Sequence, residues 1–257
     1  MVFASERLGH LELDPEVRVR SLLTAAACAE DRLGDDEGAV RVLSPLLTLD
    51  PGHTEAFVRL RGIYSRTERW GELAQLLEVR VARETEPAHQ LDLHQSLAAL
   101  YQGPLKDPGR ARAELGRILA LTPSDPGALS ALAELAWSAG SWGEAADLLI
   151  RRARQERDPA ALKEIFQRLG VLYDEHLPDP ARASQALLRA LQIPGDDASD
   201  AALLERLSQL SLRQGDWQSA LHATDRLLRY PADAARAAAS SCTSAGSASG
   251  ARRRTAR

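Results

Sequence analysis

The chain has 257 residues, 44% hydrophobic and 26% charged, a balance that suits a folded protein and excludes a disordered one. Its formal net charge is −4, but the residues from Ala232 onward carry +4, which leaves about −8 on the remainder and argues against general nucleic-acid binding. Cys28 and Cys242 are too isolated to form a disulfide framework, and the sequence shows no signal peptide or membrane-spanning run, so a reducing, cytoplasmic setting is expected.

In chain order, a small or aliphatic residue marks the second helix of each of about six units: Ala39, Leu73, Ala111, Ala145, Ala183 and Ala220. The steps between them are 34, 38, 34, 38 and 37 residues. Two phrases recur on this frame. Trp70-Gly71-Glu72, Trp142-Gly143-Glu144 and Trp217-Gln218-Ser219 form one; Asp107-Pro108-Gly109-Arg110-Ala111 and Asp179-Pro180-Ala181-Arg182-Ala183, 72 residues apart, form the other. Apolar stripes at helical spacing fall inside the units. Phe57, Leu60 and Tyr64 predict a first helix, and Trp70, Leu73, Leu76 and Leu77 a second. Phe166, Leu169 and Tyr173, followed by Ala183, Leu187 and Ala190, repeat the scheme.

Helix starts are predicted at Asp14-Pro15, Asp50-Pro51, Asp107-Pro108, Asp125-Pro126, Asp158-Pro159 and Asp179-Pro180, because aspartate caps orphan N–H groups and proline costs no hydrogen bond at the first position. Gly34, Gly140 and Gly215 are placed to end first helices in the left-handed region. The longer third and fifth units carry their extra residues partly in the turn and mostly in the linkers near Glu84–Pro87 and Gln155–Pro159.

This spacing resembles the tetratricopeptide repeat, whose pattern is large residue, Leu, Gly and Tyr in the first helix, then Ala and Pro. Leu169, Gly170, Tyr173, Ala183 and Pro194 follow it, whereas Arg61 stands where glycine is usual and Leu73 where alanine is. The style is similar to long bacterial arrays of this family. The resemblance implies an all-α, right-handed α-solenoid over residues 14–231, preceded by a segment at 1–13 and followed by a Ser/Ala/Arg tail at 232–257 expected to be disordered.

The resemblance also implies that first helices line a concave groove, where Asp92, Gln95, Glu134, Trp137, Gln167, Asp174, Glu205 and Gln209 are the candidate partner-binding residues, with Arg168 and Arg206 among them. Such a lining suits a basic or mixed polar–apolar peptide or helix. Trp137 breaks the repeat and is the candidate contact aromatic, while the recurring Trp70, Trp142 and Trp217 are assigned to packing. The chain lacks asparagine, so Lys106, Lys163, Arg168 and Arg206 do not rebuild the carboxylate clamp with which some family members hold chaperone tails.

No constellation for catalysis, metal or cofactor is legible. Glycines are isolated turn residues, the tail serines have no His or Asp beside them, and His10, His53, His89, His94, His176 and His222 read as surface residues. The expected function is a non-enzymatic, protein-binding scaffold without cofactor. The alternatives are a regulatory or assembly module of a larger machine and a nucleic-acid-binding helical repeat. Leu221, Leu227 and Leu228 in the last unit predict exposed apolar surface and self-association at that end.

Overall fold

The computed structural model describes residues 15–194 and 197–230. Among them are twelve α-helices and no strand. The chain divides after Pro123 into two compact units, each holding three helix pairs.

The first unit contains α1 (Pro15–Ala27), which widens into a π turn at Cys28–Arg32, then α2 (Asp36–Leu49), α3 (Thr54–Arg66), α4 (Trp70–Val81), α5 (Pro87–Gln102) and α6 (Pro108–Leu121). The second contains α7 (Pro126–Ser138), α8 (Trp142–Gln155), α9 (Pro159–Glu175), α10 (Pro180–Gln192), α11 (Asp197–Gln214) and α12 (Trp217–Leu227). Within each unit every helix packs on the next one in the chain, inside pairs and between pairs, as in a helical-repeat solenoid. No single helix has enough apolar surface to stand alone, so each stripe is buried by its sequence neighbours. Leu43, Leu46, Leu60, Ile63, Leu77, Leu97 and Ile118 are the fully buried large residues of the first unit; Leu129, Leu149, Ile165, Leu172 and Leu187 are those of the second.

Helix ends follow the cap chemistry. Asp107, Asp125, Asp158 and Asp179 each cap the helix opened by the following proline, their carboxylates accepting from backbone N–H groups two or three residues on. Asp35 and Asp216 cap α2 and α12 without proline. Asp50-Pro51 departs from the expected start. Asp50 closes α2, its N–H bonding the Leu46 carbonyl at 2.8 Å and its carboxylate the Gly52 N–H at 3.0 Å. The cap of α3 is His53, whose Nδ1 accepts from Ala56 N at 3.2 Å. Gly34, Gly140 and Gly215 take φ of +62°, +73° and +75° at the turns inside pairs, while Glu68 and Lys106 adopt the left-handed region in the second and third repeats.

Asp14 and the expected segments at 1–13 and 232–257 lie outside the described residues.

Candidate functional site

Counted from the stripe leucine of each first helix (Leu60, Leu97, Leu132, Leu169 and Leu207), most of the candidate groove residues fall into rows. Gln95, Gln167 and Glu205 share one register position, Glu134 and Gln209 a second, and Trp137 and Asp174 a third. Within each unit, rows of this kind lie on one face of the first helices, because equal register in stacked repeats means equal direction.

That face is cross-linked between repeats. The residue before the stripe leucine is arginine in three repeats, Arg59, Arg168 and Arg206, and each reaches back to a carboxylate of the preceding repeat. Arg59 bonds Glu30 at 3.2 Å, and Arg168 bonds Glu134. Arg206 bonds Glu175 and lies 3.5 Å from Asp174. Asp174 also accepts from Arg213 at 2.6 Å, and its side chain is only 6% exposed. Gln167 donates to Ser199 at 2.7 Å, and Asp92 faces Arg61 at 3.9 Å. Asp174 and Gln167 are therefore tied into the fold by neighbouring helices. Gln95, Glu134 and Gln209 remain exposed.

Glu205 is half-buried. One of its oxygens takes a long bond from Gln209 at 3.4 Å, and the other is buried without a donor among the described residues.

Trp137 sits in a nest of rings. Trp142 and His176 stack face to face, their centroids 3.7 Å apart, and Trp137 meets both edge-on at 5.5 and 5.9 Å. The Arg168 guanidinium lies over the Trp137 ring at 5.2 Å, placing this tryptophan beside the Glu134–Arg168 pair. Trp137 keeps part of its surface open, as do Trp70 and Trp142. Trp217 departs from the packing assignment, with 68% of its surface exposed. Trp142 is covered by His176 of the following pair, and no described helix does the same for Trp217.

Three histidines differ from the surface reading. His53 is a helix cap, His176 a stacking partner, and His94 is buried, its Nδ1 2.6 Å from Glu114. Lys163 is buried as well and paired with Asp200, which also lies 3.4 Å from the Tyr230 hydroxyl. The cross-repeat arginines were detectable in the sequence as one residue type recurring at one register position. The buried histidine and lysine left no such signal, since each occurs once.

Among the described residues no cluster of His, Cys, Asp or Glu is arranged to hold a metal ion. No protein-family model and no curated relative matches the chain. Solved structures that it resembles include a double mutant of MamA from strain RS-1, at 16% identity over 68% of this chain and 92% of that one, with a TM-score of 0.47. YrrB, described as a tetratricopeptide protein with an unusual peptide-binding site, is 21% identical over 80% of this chain and 91% of its own, with a TM-score of 0.44. A tetratricopeptide repeat protein of Parabacteroides merdae is 14% identical over 86% and 98%, with a TM-score of 0.41. On the period, caps and stripes of its own helix pairs, the chain is an all-α helical-repeat protein.

Proposed function

We propose that the chain is a non-enzymatic protein-interaction scaffold that captures a peptide or helix on the first-helix face of α7, α9 and α11. Trp137 carries this reading. It occupies a register position held by Asp174 and Leu212 in the next two repeats, so the repeat itself does not call for an aromatic there. Its ring is fixed by Trp142 and His176, yet part of it stays open beside a mixed-charge rim of Glu134 and Arg168. A rigid, half-open tryptophan loses little freedom on binding, which is why this residue type dominates contact energetics. Asp92 and Gln95 of the first unit belong to the same register face and are proposed as contacts on that unit.

The test is affinity capture from the native cell, comparing the full chain with Trp137→Ala and Glu134→Arg. A specific partner should be reduced about tenfold or more by Trp137→Ala, the scale of a contact hot spot. Capture unchanged by both substitutions, with helicity intact, would sink the proposal.

A second reading, an assembly module, is favoured by the end of the second unit. Trp217, Leu221 and Leu228 are 68%, 73% and 80% exposed. Large exposed apolar residues on one helix and its C-cap suit contact with a further protein surface or a second copy. Sedimentation of the full chain over a range of concentrations separates the readings: self-association abolished by Leu221→Glu supports assembly, and a monomer at all concentrations opposes self-assembly. No described helix is long and apolar enough to cross a membrane. Together with the two isolated cysteines, this is compatible with the cytoplasmic setting that we infer.

A further inference from the structure

Two grooves at equivalent places differ in one respect that bears on ligand binding. Between α4, α5 and α6 a cavity of about 520 Å³ is lined by Arg110 and Arg117 and by two carboxylates, Glu78 and Glu114. The charges are matched internally. Glu114, 4% exposed, takes 2.6 Å bonds with both His94 and Arg117. Glu78 accepts from the Tyr101 hydroxyl at 2.5 Å and lies 3.7 Å from Arg110.

The counterpart 72 residues later, between α8, α9 and α10, is a cavity of about 470 Å³. Every lining residue of the first groove has its equivalent in the second. Arg182 and Arg189 replace Arg110 and Arg117, and Arg182 lies over Tyr173 at 5.7 Å as Arg110 lies over Tyr101 at 5.6 Å. The carboxylates, however, are gone: Ile150 stands for Glu78 and Ala186 for Glu114. Phe166 replaces His94, and a third cation, Arg154, replaces Ala82. Among the described residues Arg182 pairs only with the capping Asp179, at 3.3 Å, whereas Arg110 has Glu78 at 3.7 Å besides its capping Asp107 at 3.5 Å. Arg154 and Arg189 make no ion pair among the described residues, and Asp147 is the one carboxylate in the lining. Arg189 instead lies over the Phe166 ring at 5.7 Å, held against the wall of the groove.

We propose that the groove between α8 and α10 binds an acidic segment of a partner protein, which supplies from outside the carboxylate that Glu114 supplies within the third repeat. The partner's carboxylate bonds Arg189 and Arg154, and an adjoining apolar side chain covers Ile150, Ala186 and Phe166. The apolar floor selects against a bare phosphate, which offers nothing to cover it. The acidic remainder of the chain opposes extended polyanions such as nucleic acid, while the local excess of arginine attracts a short acidic stretch. This site is distinct from the Trp137 face and does not depend on it.

The probe is a fluorescein-labelled glutamate-rich peptide with one central leucine, titrated against the full chain by fluorescence anisotropy at low and at physiological salt. Saturable binding is expected, weakened by salt and reduced about tenfold or more by Arg154→Glu combined with Arg189→Glu. Ala186→Glu should also block it, by neutralising Arg189 internally as Glu114 neutralises Arg117. Should that buried substitution unfold the chain, Arg189→Glu, at an exposed position, still reads the site. Three results overturn the proposal. They are no saturable binding, binding untouched by the arginine variants, and equal displacement of the peptide by inorganic phosphate or a short oligonucleotide. Weakening by Trp137→Ala in place of the arginine variants assigns the peptide to the other face and overturns it too.

Discussion

The arginine preceding the stripe leucine ties one repeat to the one before it, at Arg59, Arg168 and Arg206. Of these pairs only Arg168–Glu134 keeps a well-exposed partner, Glu134 at 60%, and such a pair contributes little. Buried pairs behave differently, because removing one member strands the other in low dielectric. Lys163 and Asp200 are the sharpest case, 7% and 15% exposed at the side chain. Lys163→Ala should cost about 3 kcal/mol in chemical denaturation, and Lys163→Met with Asp200→Leu should recover most of it. Equal losses in the single and double variants would show that shape, not charge, governs the site. Asp36 offers a pH test. The hydrogen bond from Arg66 holds its carboxyl below the usual aspartate value of 3.8. A depressed folded value means that its contribution is full above the unfolded pKa and is lost as pH falls through the folded one. Wild type should therefore exceed Asp36→Asn by about 0.5 kcal/mol at neutral pH, a figure set by partial exposure, with the gap closing from about pH 4 downward. A gap that persists at pH 2 would rule out titration of Asp36 as its source.

At the scale of helices and linkers, the third and fifth repeats share a device not found in the other linkers among the described residues. Glu84 folds back to accept from the N–H groups of Thr85 and Glu86 at 3.1 and 3.2 Å, and Glu156 does the same for Arg157 and Asp158 at 2.9 and 3.0 Å. Arg80 and Arg152, each four residues earlier, lie 3.8 and 3.7 Å from these carboxylates. The insertions could be located from the lengthened period, but their internal bonding could not, since a glutamate in a linker has many possible partners. The same limit explains Asp50-Pro51: aspartate before proline closes a helix as readily as it opens one, and only the tertiary path decides. Stripe positions and most caps were legible because they depend on residues three or four apart. The pairings of Asp174, Lys163 and His94 were not, because their partners lie 20 to 39 residues away. Glycines separate the two kinds of constraint. A Cβ on Gly170 would lie 2.6 Å from Leu187 Cδ2, and the α9–α10 pair it serves is the most extensively packed, whereas α3–α4, with Arg61 at that register, is the least. Gly170→Ala should cost about 1–3 kcal/mol by overpacking. Gly62→Ala, in α3 with nothing within 4 Å of its Cβ, should stabilise by about 0.5–1 kcal/mol through helix propensity. Opposite signs in thermal melts of the two variants would confirm the distinction; a shared sign would refute it.

For the molecule as a whole, what matters is that the chain divides into two compact units. In repeat arrays stability is a sum of terms within repeats and between nearest neighbours, so a block of three pairs contains most of the couplings that it needs. Residues 124–257 include the ring nest of Trp137, Trp142 and His176, the Lys163–Asp200 pair and the clasps of Arg168 and Arg206, all satisfied within the second unit. Nothing among these contacts calls on residues before Ser124. Expressed alone, that fragment should keep the helical signal of its six helices and unfold cooperatively in urea, with an m-value about half that of the full chain, as expected when exposed area scales with length. Binding of the glutamate-rich peptide to the α8–α10 groove should survive in the fragment, since all its lining residues fall between Asp147 and Arg189. A fragment that is helical but unfolds without a sigmoidal transition would mean that the second unit draws its cooperativity from the first. In that case the clasps described within it are too weak to hold three pairs together, and the effect of Arg206→Ala on the full chain should be correspondingly small, about 0.5 kcal/mol or less.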